Sequence, residues 1–254
     1  MLYQSSNNGI LLKKHHNHNF PIHLHENFEF ITVKDGEMTV TVNQNEYHLK
    51  KGDAVLIFPN QIHSLHTDIY SSDWICIFSP HLVAAYKNTF SKKRPQNNLF
   101  RPNPFHLDTM FSLNEDSDIL KIKGVLYSIC AEFDSTAKYV ACMHENANLL
   151  MKIFRFVENN YAKDCKLSTL ANQIAYHEVY LSRYFKKCTG IDFSDYVNQY
   201  RINEGAYILR NSTRKIIDVA YDCGFNSLRT FNRNFKAIIG KTPSEYRSNE
   251  RNAP

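Results

Sequence analysis

The chain reads RNFKAIIGKTPSEY at residues 233–246, and it reads RYFKKCTGIDFSDY fifty positions earlier, at residues 183–196. Arg, Phe, Lys, Gly, Ser, an acidic residue and Tyr recur in register between the two stretches. Apolar residues lie four positions apart at the start of each copy, as Phe231 and Phe235 do in the second. This spacing predicts an amphipathic helix with one buried face in each copy.

A shorter apolar pattern precedes each of these helices, at residues 167–171 and 216–220, and a short break separates the two patterns. A short helix, a tight turn and a second helix with a polar outer face describe a helix-turn-helix unit. We therefore predict one unit at about 167–188 and a second at about 215–239. The apolar periodicity of residues 193–210 predicts a long helix that joins them.

The outer faces of the two second helices carry side chains that suit DNA. Arg and Asn match the guanine and adenine edges in the major groove, small apolar side chains contact a thymine methyl, and Lys reaches phosphates. The predicted contact residues are Glu178, Val179, Ser182, Arg183, Lys186 and Lys187 in the first unit, and Leu228, Arg229, Asn232, Arg233 and Lys236 in the second. If the units lie about 34 Å apart, one protomer reads two successive major grooves of double-stranded DNA.

Charge is unevenly distributed along the chain, and the basic part contains both repeats. Residues 144–254 carry 17 Lys and Arg against 11 Asp and Glu, whereas residues 1–143 carry 13 against 14. A basic half next to a neutral half is typical of a protein whose second domain binds a polyanion. The apolar runs are too short to cross a bilayer, and the first residues lack the order of a signal peptide. We expect a cytoplasmic protein with no membrane partner.

The first part of the chain, residues 1–105, reads as β structure. Runs of alternating apolar and polar residues are separated by turn signals at residues 34–36, 43–45 and 50–53. Such close hairpin spacing favours a small antiparallel barrel or sandwich.

A helical pattern follows in residues 106–143, where Ile119, Ile122, Leu126, Ile129 and Phe133 form one apolar stripe. The stripe either packs on the barrel or forms a homodimer interface. The predicted fold class is α+β and multidomain. It consists of an N-terminal antiparallel cupin-like barrel (1–105), a helical linker (106–143) and a C-terminal all-α domain (144–254).

Residues 149–247 resemble the AraC/XylS family of bacterial transcription regulators. The matching elements are LSTLANQIAYHEVYLSRYFKKCTG, the connector YVNQYRINEGAYIL, and KIIDVAYDCGFNSLRTFNRNFKAIIGKTPSEYR with its closing G-x-T-P-x-x-Y-R. The resemblance implies a sequence-specific DNA-binding regulator, usually an activator that contacts RNA polymerase. The family usually has Ser where His177 precedes the first recognition helix, and Ala where Gly205 stands in the connector. A helical Gly costs about 1 kcal/mol relative to Ala.

The stretches HLHENFEFITVKDG and GDAVLIFPNQIH look like the two motifs of a cupin barrel, and cupin-type sensor domains often precede this kind of helix-turn-helix pair. The pattern is incomplete, because Asn17 and Gln61 stand where the motifs have Gly.

His23, His25 and Glu29 have the same strand parity, so they and His63 could lie on one face of the barrel. The four residues suit a divalent transition metal (Fe, Mn, Ni or Zn), a pocket for a small-molecule effector, or simple packing. The resemblance to regulators favours the last two, so no cofactor is predicted. A metal-dependent cupin enzyme fused to a DNA-binding domain is the alternative function. Motifs for a nucleophile elbow, a phosphate-binding loop and a zinc protease are lacking, so we expect no enzymatic activity.

Overall fold

The computed structural model describes residues 9–89, 93–114, 116–141 and 147–251 of the 254-residue chain. The internal contacts divide the chain into two compact units, residues 1–148 and 149–254. None of the described helices is long and apolar enough to cross a membrane.

The first unit is built on antiparallel sheet. Its described strands are β1 (Ile10–His16), β2 (Phe20–His23), β3 (Phe28–Val42), β4 (Asn45–Lys50), β5 (Ala54–Ile57), β6 (His63–His66), β7 (Ser71–Phe78), β8 (Lys93–Pro95), β9 (Leu99–Phe100) and β10 (Tyr139–Ala141). One layer has the order β1-β7-β3-β5-β9, and the other has the order β2-β6-β3-β4. β8 and β10 form a separate pair.

The long strand β3 belongs to both layers. Its first half pairs with β5 and β7, and its second half pairs with β4 and β6. The turn predicted at residues 34–36 is therefore wrong, because β3 continues through it. The pairing with β7 shifts register between Val33 and Asp35, and Gly36 has a φ of +75°. This irregularity bends the strand without reversing it.

The interior between the layers is filled by aliphatic side chains from strands of both layers. They are Ile31, Val33, Met38, Val40, Val42, Leu49, Val55, Ile57, Leu65, Ile75 and Ile77. Because side chains alternate along a strand, Glu29 has the parity of Ile31 and Val33 and lies at one end of this interior.

Helices cover the other face of the first layer. They are α1 (Ala84–Thr89), α2 (Pro104–Phe111) and α3 (Ile119–Thr136). Ile122, Leu126, Ile129 and Phe133 of α3 are buried in one core cluster with aromatic residues of the sheet. The apolar stripe thus packs on its own sheet, while Ile119 at its end is 42% exposed. The region predicted as a separate linker is part of the first unit, because burying this stripe joins it to the sheet.

Seven helices make up the described part of the chain after residue 146. They are α4 (Ala147–Asn160), α5 (Leu167–Gln173), α6 (Glu178–Thr189), α7 (Phe193–Asn211), α8 (Ile216–Asp222), α9 (Leu228–Ile239) and α10 (Pro243–Arg251). The predicted fold class, with two helix-turn-helix units joined by the long helix α7, is confirmed. Near the start of α7, Tyr196 packs against Phe185 of α6, with ring centroids 5.4 Å apart. Further along α7, Gly205 lies under the ring of Phe231 of α9.

Candidate DNA interface and four-residue sensor site

The two helix-turn-helix units have the same local construction. In the first turn the backbone N–H of Tyr176 donates to the carbonyl of Ala171 (2.9 Å), and in the second the N–H of Phe225 donates to that of Ala220 (3.0 Å). These matching bonds are 49 positions apart, whereas α6 and α9 are offset by 50. The second turn therefore contains one additional residue.

Each recognition helix begins and ends at a capping residue. At the start of α6 the backbone N–H of Val179 donates to His177 Nδ1 (3.3 Å), and at the start of α9 that of Thr230 donates to Ser227 Oγ (3.2 Å). His177 thus performs the capping that a serine performs in the second unit. Both helices end at a left-handed glycine, at residues 190 and 240.

The buried faces of α6 and α9 carry Leu181 and Phe185, and Phe231 and Phe235, all at 0% exposure. Nine predicted contact residues have exposed side chains: Glu178, Val179, Arg183, Lys186, Lys187, Arg229, Asn232, Arg233 and Lys236. Ser182 is partly buried, and Leu228 packs against the core of the second unit. Lys186 Nζ lies 3.0 Å from Asp192 Oδ2, so this lysine has an acidic partner on its own chain. Lys187 is the more direct candidate for a phosphate.

A row of stacked tyrosines, which begins in the turn before α6 and continues along α6, was not predicted. The rings of Tyr176 and Tyr180 are 5.6 Å apart, and those of Tyr180 and Tyr184 are 6.2 Å apart. The four-residue spacing of these tyrosines was visible in the sequence. The corresponding positions of the second unit are Phe225, Thr230 and Asn234. The flanks of the two recognition helices therefore have different chemistry.

The structure brings all four predicted residues of the sensor site together. His23 ends β2, His25 follows it in a loop, Glu29 lies in β3 and His63 begins β6. One ligand atom from each lies within 4.8 Å of the others. Glu29 Oε2 is 2.8 Å from His25 Nε2 and 3.1 Å from His63 Nε2. Glu29 and His63 are buried, whereas His23 and His25 are partly exposed.

Backbone carbonyls orient the three imidazoles. In each ring Nδ1 lies within hydrogen-bond distance of a carbonyl oxygen two residues away. The pairs are His23 with Pro21 (2.9 Å), His25 with Asn27 (3.1 Å) and His63 with Gln61 (2.9 Å). A carbonyl oxygen only accepts, so Nδ1 carries the proton in each ring. The Nε2 atoms then face the cluster.

The local environment sets the charges of the cluster. Part of the His23 side chain is exposed, but its Nε2 atom is buried, and this burial lowers the pKa of His23 well below its usual value. The charge of His63 lowers it further. Burial by itself would raise the pKa of Glu29, but hydrogen bonds from His25 and His63 outweigh it and hold this pKa well below its usual value. The Glu29 carboxylate is therefore charged next to a neutral His23. Its Oε1 atom accepts no hydrogen bond from any residue that the structure describes.

Comparison with known proteins assigns both units. The family model described as an AraC-like ligand binding domain matches residues 10–120, and one described as a helix-turn-helix domain matches residues 170–249. The Transposon Tn10 TetD protein of Escherichia coli is 31% identical over 105 residues, which cover 41% of this chain and 76% of TetD. The HTH-type transcriptional activator RhaS of Mannheimia succiniciproducens is 26% identical over 245 residues, which cover 90% of this chain and 89% of RhaS.

The fold of the whole chain also occurs in a solved structure. ToxT from Vibrio cholerae aligns with a TM-score of 0.63 and 14% identity, and the alignment covers 97% of this chain and 100% of ToxT. At this identity the match supports the fold alone.

Proposed function

Because the chain belongs to the AraC family of transcription regulators, we propose that it binds specific double-stranded DNA sites through α6 and α9, one in each of two successive major grooves. The packing of both helices against α7 is the observation that carries this proposal. Phe185 and Phe231 are fully buried, while the opposite faces hold exposed arginines. A single helix that supports both units keeps them at one separation.

The predicted contact residues of α6 and α9 are proposed to have different roles in DNA binding. Arg229 and Asn232 have the side chains that hydrogen-bond guanine and adenine edges, so we assign them to base recognition. Lys236 in α9 and Lys187 in α6 are exposed near the helix ends, where a cation is suited to a phosphate. Leu228 packs on the core, and we assign it a structural role.

The regulator is proposed to activate transcription in the cytoplasm by contacting RNA polymerase. The similarity to RhaS, which is described as a transcriptional activator, supports activation. A homodimer would cover apolar side chains of the first unit. Phe105 and Leu120 are two candidates for such a surface, since they are 72% and 76% exposed.

The first unit is proposed to receive the controlling signal. A ligand changes DNA occupancy only if it binds one arrangement of the protein more tightly than another. A structure of ToxT is described as bound to an unsaturated fatty acid, which makes a small organic effector one candidate here. A fused cupin enzyme is the less supported function, because the relatives TetD and RhaS, matched above, are not described as enzymes.

The proposal is tested by selecting bound sequences from a random DNA pool and then measuring variants on the selected site. We expect Arg229→Ala to cost about 1–3 kcal/mol of binding free energy and to relax the preference at one base position. Lys187→Ala should weaken binding to all sequences alike. It should also reduce the slope of log affinity against log salt concentration by about one unit.

Lys138→Ala is the matched control, because this lysine lies in the first unit and outside both recognition helices. The affinity of this variant for the selected DNA site should equal that of the parent protein. If Arg229→Ala left both the DNA affinity and the base preference unchanged, α9 would not lie in the major groove and the proposed interface would be wrong.

A further inference from the structure

The row of stacked tyrosines lies beside the basic face of α6. Tyr176 belongs to the turn before the helix, and Tyr180 and Tyr184 belong to the helix itself. We propose that Tyr176 and Tyr180, the two most exposed members of the row, hydrogen-bond to phosphates of one DNA strand at the edge of the groove that holds α6. The proposal rests on the placement of α6 in a major groove, and it extends the interface to a flank of the helix that does not read bases.

Helical spacing places the tyrosine row on the same side of α6 as two cations. Arg183 and Lys187 follow Tyr180 at i+3 and i+7, so the three side chains share one stripe. Both cations are exposed. Glu178 is the single acidic residue of α6, and it lies two positions before Tyr180, on another side of the helix. The stripe therefore combines aromatic rings with two positive charges and no acid, which suits a polyanion.

The dimensions of the major groove bring this stripe to the DNA backbone. The groove is about 12 Å wide, and a helix with its side chains is about 10–12 Å across. A helix that reads bases at the floor of the groove therefore has each flank next to the phosphates of one bordering strand. Tyr180 follows Val179 of the predicted contact face by one residue, which is about 100° around the helix. The tyrosine row thus lies on a flank.

Stacking holds the phenol rings of the row in place. Tyr176 and Tyr180 stack at a ring separation of 5.6 Å, and Tyr180 and Tyr184 at 6.2 Å. Tyr184 is partly buried, and its hydroxyl hydrogen-bonds to Cys188 of the same helix, so one end of the row is anchored. The rings of Tyr176 and Tyr180 remain 43% and 46% exposed. Tyrosine hydroxyls are among the groups that bond phosphate oxygens, and ordered side chains lose less entropy on binding.

The tyrosine row has no counterpart at the corresponding positions of the second unit. Phe225 is buried in the core of that unit. The hydroxyl of Thr230 lies 3.0 Å from Ser227 Oγ, and Asn234 Nδ2 donates to the carbonyl of Thr230 (2.9 Å). These polar groups have partners within α9 and its cap. We therefore expect the additional phosphate contacts only beside the groove that holds α6.

The test uses the full chain and the DNA site that the parent protein selects, with affinity measured by fluorescence anisotropy. We expect Tyr180→Phe to lower the affinity about tenfold, because a hydrogen bond to a charged phosphate is lost. The slope of log affinity against log salt concentration should equal that of the parent, since a phenol carries no charge and displaces no counterion. The base preference should also be unchanged, because a phosphate contact carries no sequence information.

Single neutral methylphosphonates along the two strands that border this groove locate the contact. At one position the parent should lose affinity until it equals Tyr180→Phe, whereas at the other positions the tenfold difference should persist. Tyr176→Phe should show the same behaviour at a different position on the same strand. Tyr70→Phe is the matched control, because Tyr70 is 42% exposed and lies in the first unit. This control should bind every probe as the parent does.

Three outcomes would overturn the proposal. The first is parent-like affinity of both Tyr180→Phe and Tyr180→Ala, and if these variants also failed to activate transcription, the tyrosine row would contact a protein instead. The second is a loss in Tyr180→Phe that is equal at every methylphosphonate position, because it would reflect a change in α6 itself. The third is a parent protein that selects no DNA, which would refute the proposed function as well. If Arg229→Ala alters the base preference while both Tyr180 variants bind normally, only the tyrosine contact is refuted.

Discussion

At the scale of single residues, Gly205 shows why this chain departs from the AraC family in its connector. A Cβ atom at this position would lie 3.0 Å from Cε2 and 3.2 Å from Cζ of Phe231, and 3.6 Å from Sγ of Cys223. Phe231 is fully buried and packs against Phe225 and Phe235. The glycine allows the phenyl ring to approach the backbone of α7, which offsets its poor helix propensity.

Replacing this glycine tests that explanation. Alanine normally gains about 1 kcal/mol over glycine within a helix. We expect Gly205→Ala to lower the stability of the second unit instead, because the buried ring of Phe231 cannot shift freely. In a Phe231→Leu background, which lacks the ring atoms nearest the new methyl, the same change should be less destabilising or stabilising. Urea unfolding of the four proteins gives the coupling energy. Equal effects in both backgrounds would contradict the steric explanation.

At the scale of secondary structure elements, the two recognition helices are capped by different chemistry. The bond from the Val179 amide to His177 Nδ1 is 3.3 Å long. Ser227 accepts from Thr230 N–H and also lies 3.0 Å from the Thr230 hydroxyl. Serine is among the preferred residues at this position, so α6 begins with the less favourable cap.

Replacing the two capping residues should change the stability of the second unit in opposite directions. We expect His177→Ser to stabilise the second unit by about 0.5 kcal/mol and Ser227→Ala to destabilise it by about 1 kcal/mol. Denaturant midpoints at constant slope measure both effects. A loss of stability in His177→Ser would mean that the imidazole supports the turn through contacts other than the cap.

Some features of these helices and strands could be predicted from the sequence, and others could not. The helix-turn-helix units were predictable because their signals are local: a buried four-residue spacing such as Phe231 to Phe235, a cap and a terminal glycine. The bend in β3 was not predictable, since Gly36 suits a turn and a bulge equally, and only pairing with four other strands decides between them. Strand parity predicted that Glu29 and His25 share a face, and the two side chains do meet, but His25 lies in the loop between β2 and β3, so strand parity is not the reason. The carbonyls that orient the histidines leave no trace in side-chain patterns.

At the scale of the whole molecule, the second unit is a single compact body in which α7 supports both recognition helices. Phe185 contacts Phe193 and Tyr196 near one end of α7, and Phe231 lies over Gly205 further along it. The separation of α6 and α9 is therefore fixed by one continuous helix, which resists bending far more than a flexible linker does.

A fixed separation predicts a strict requirement for spacing in the DNA. Inserting five base pairs between the two half-sites turns the second groove to the opposite side of the duplex, and inserting ten restores the face but adds about 34 Å. We expect both insertions to reduce affinity to that of a single half-site, measured by fluorescence anisotropy at one salt concentration. Two units on a flexible connector would instead recover affinity with the ten-base-pair insertion. Such recovery would show that α7 is not a rigid spacer. A 19-residue helix spans only about 28 Å, so it cannot cover an additional 34 Å.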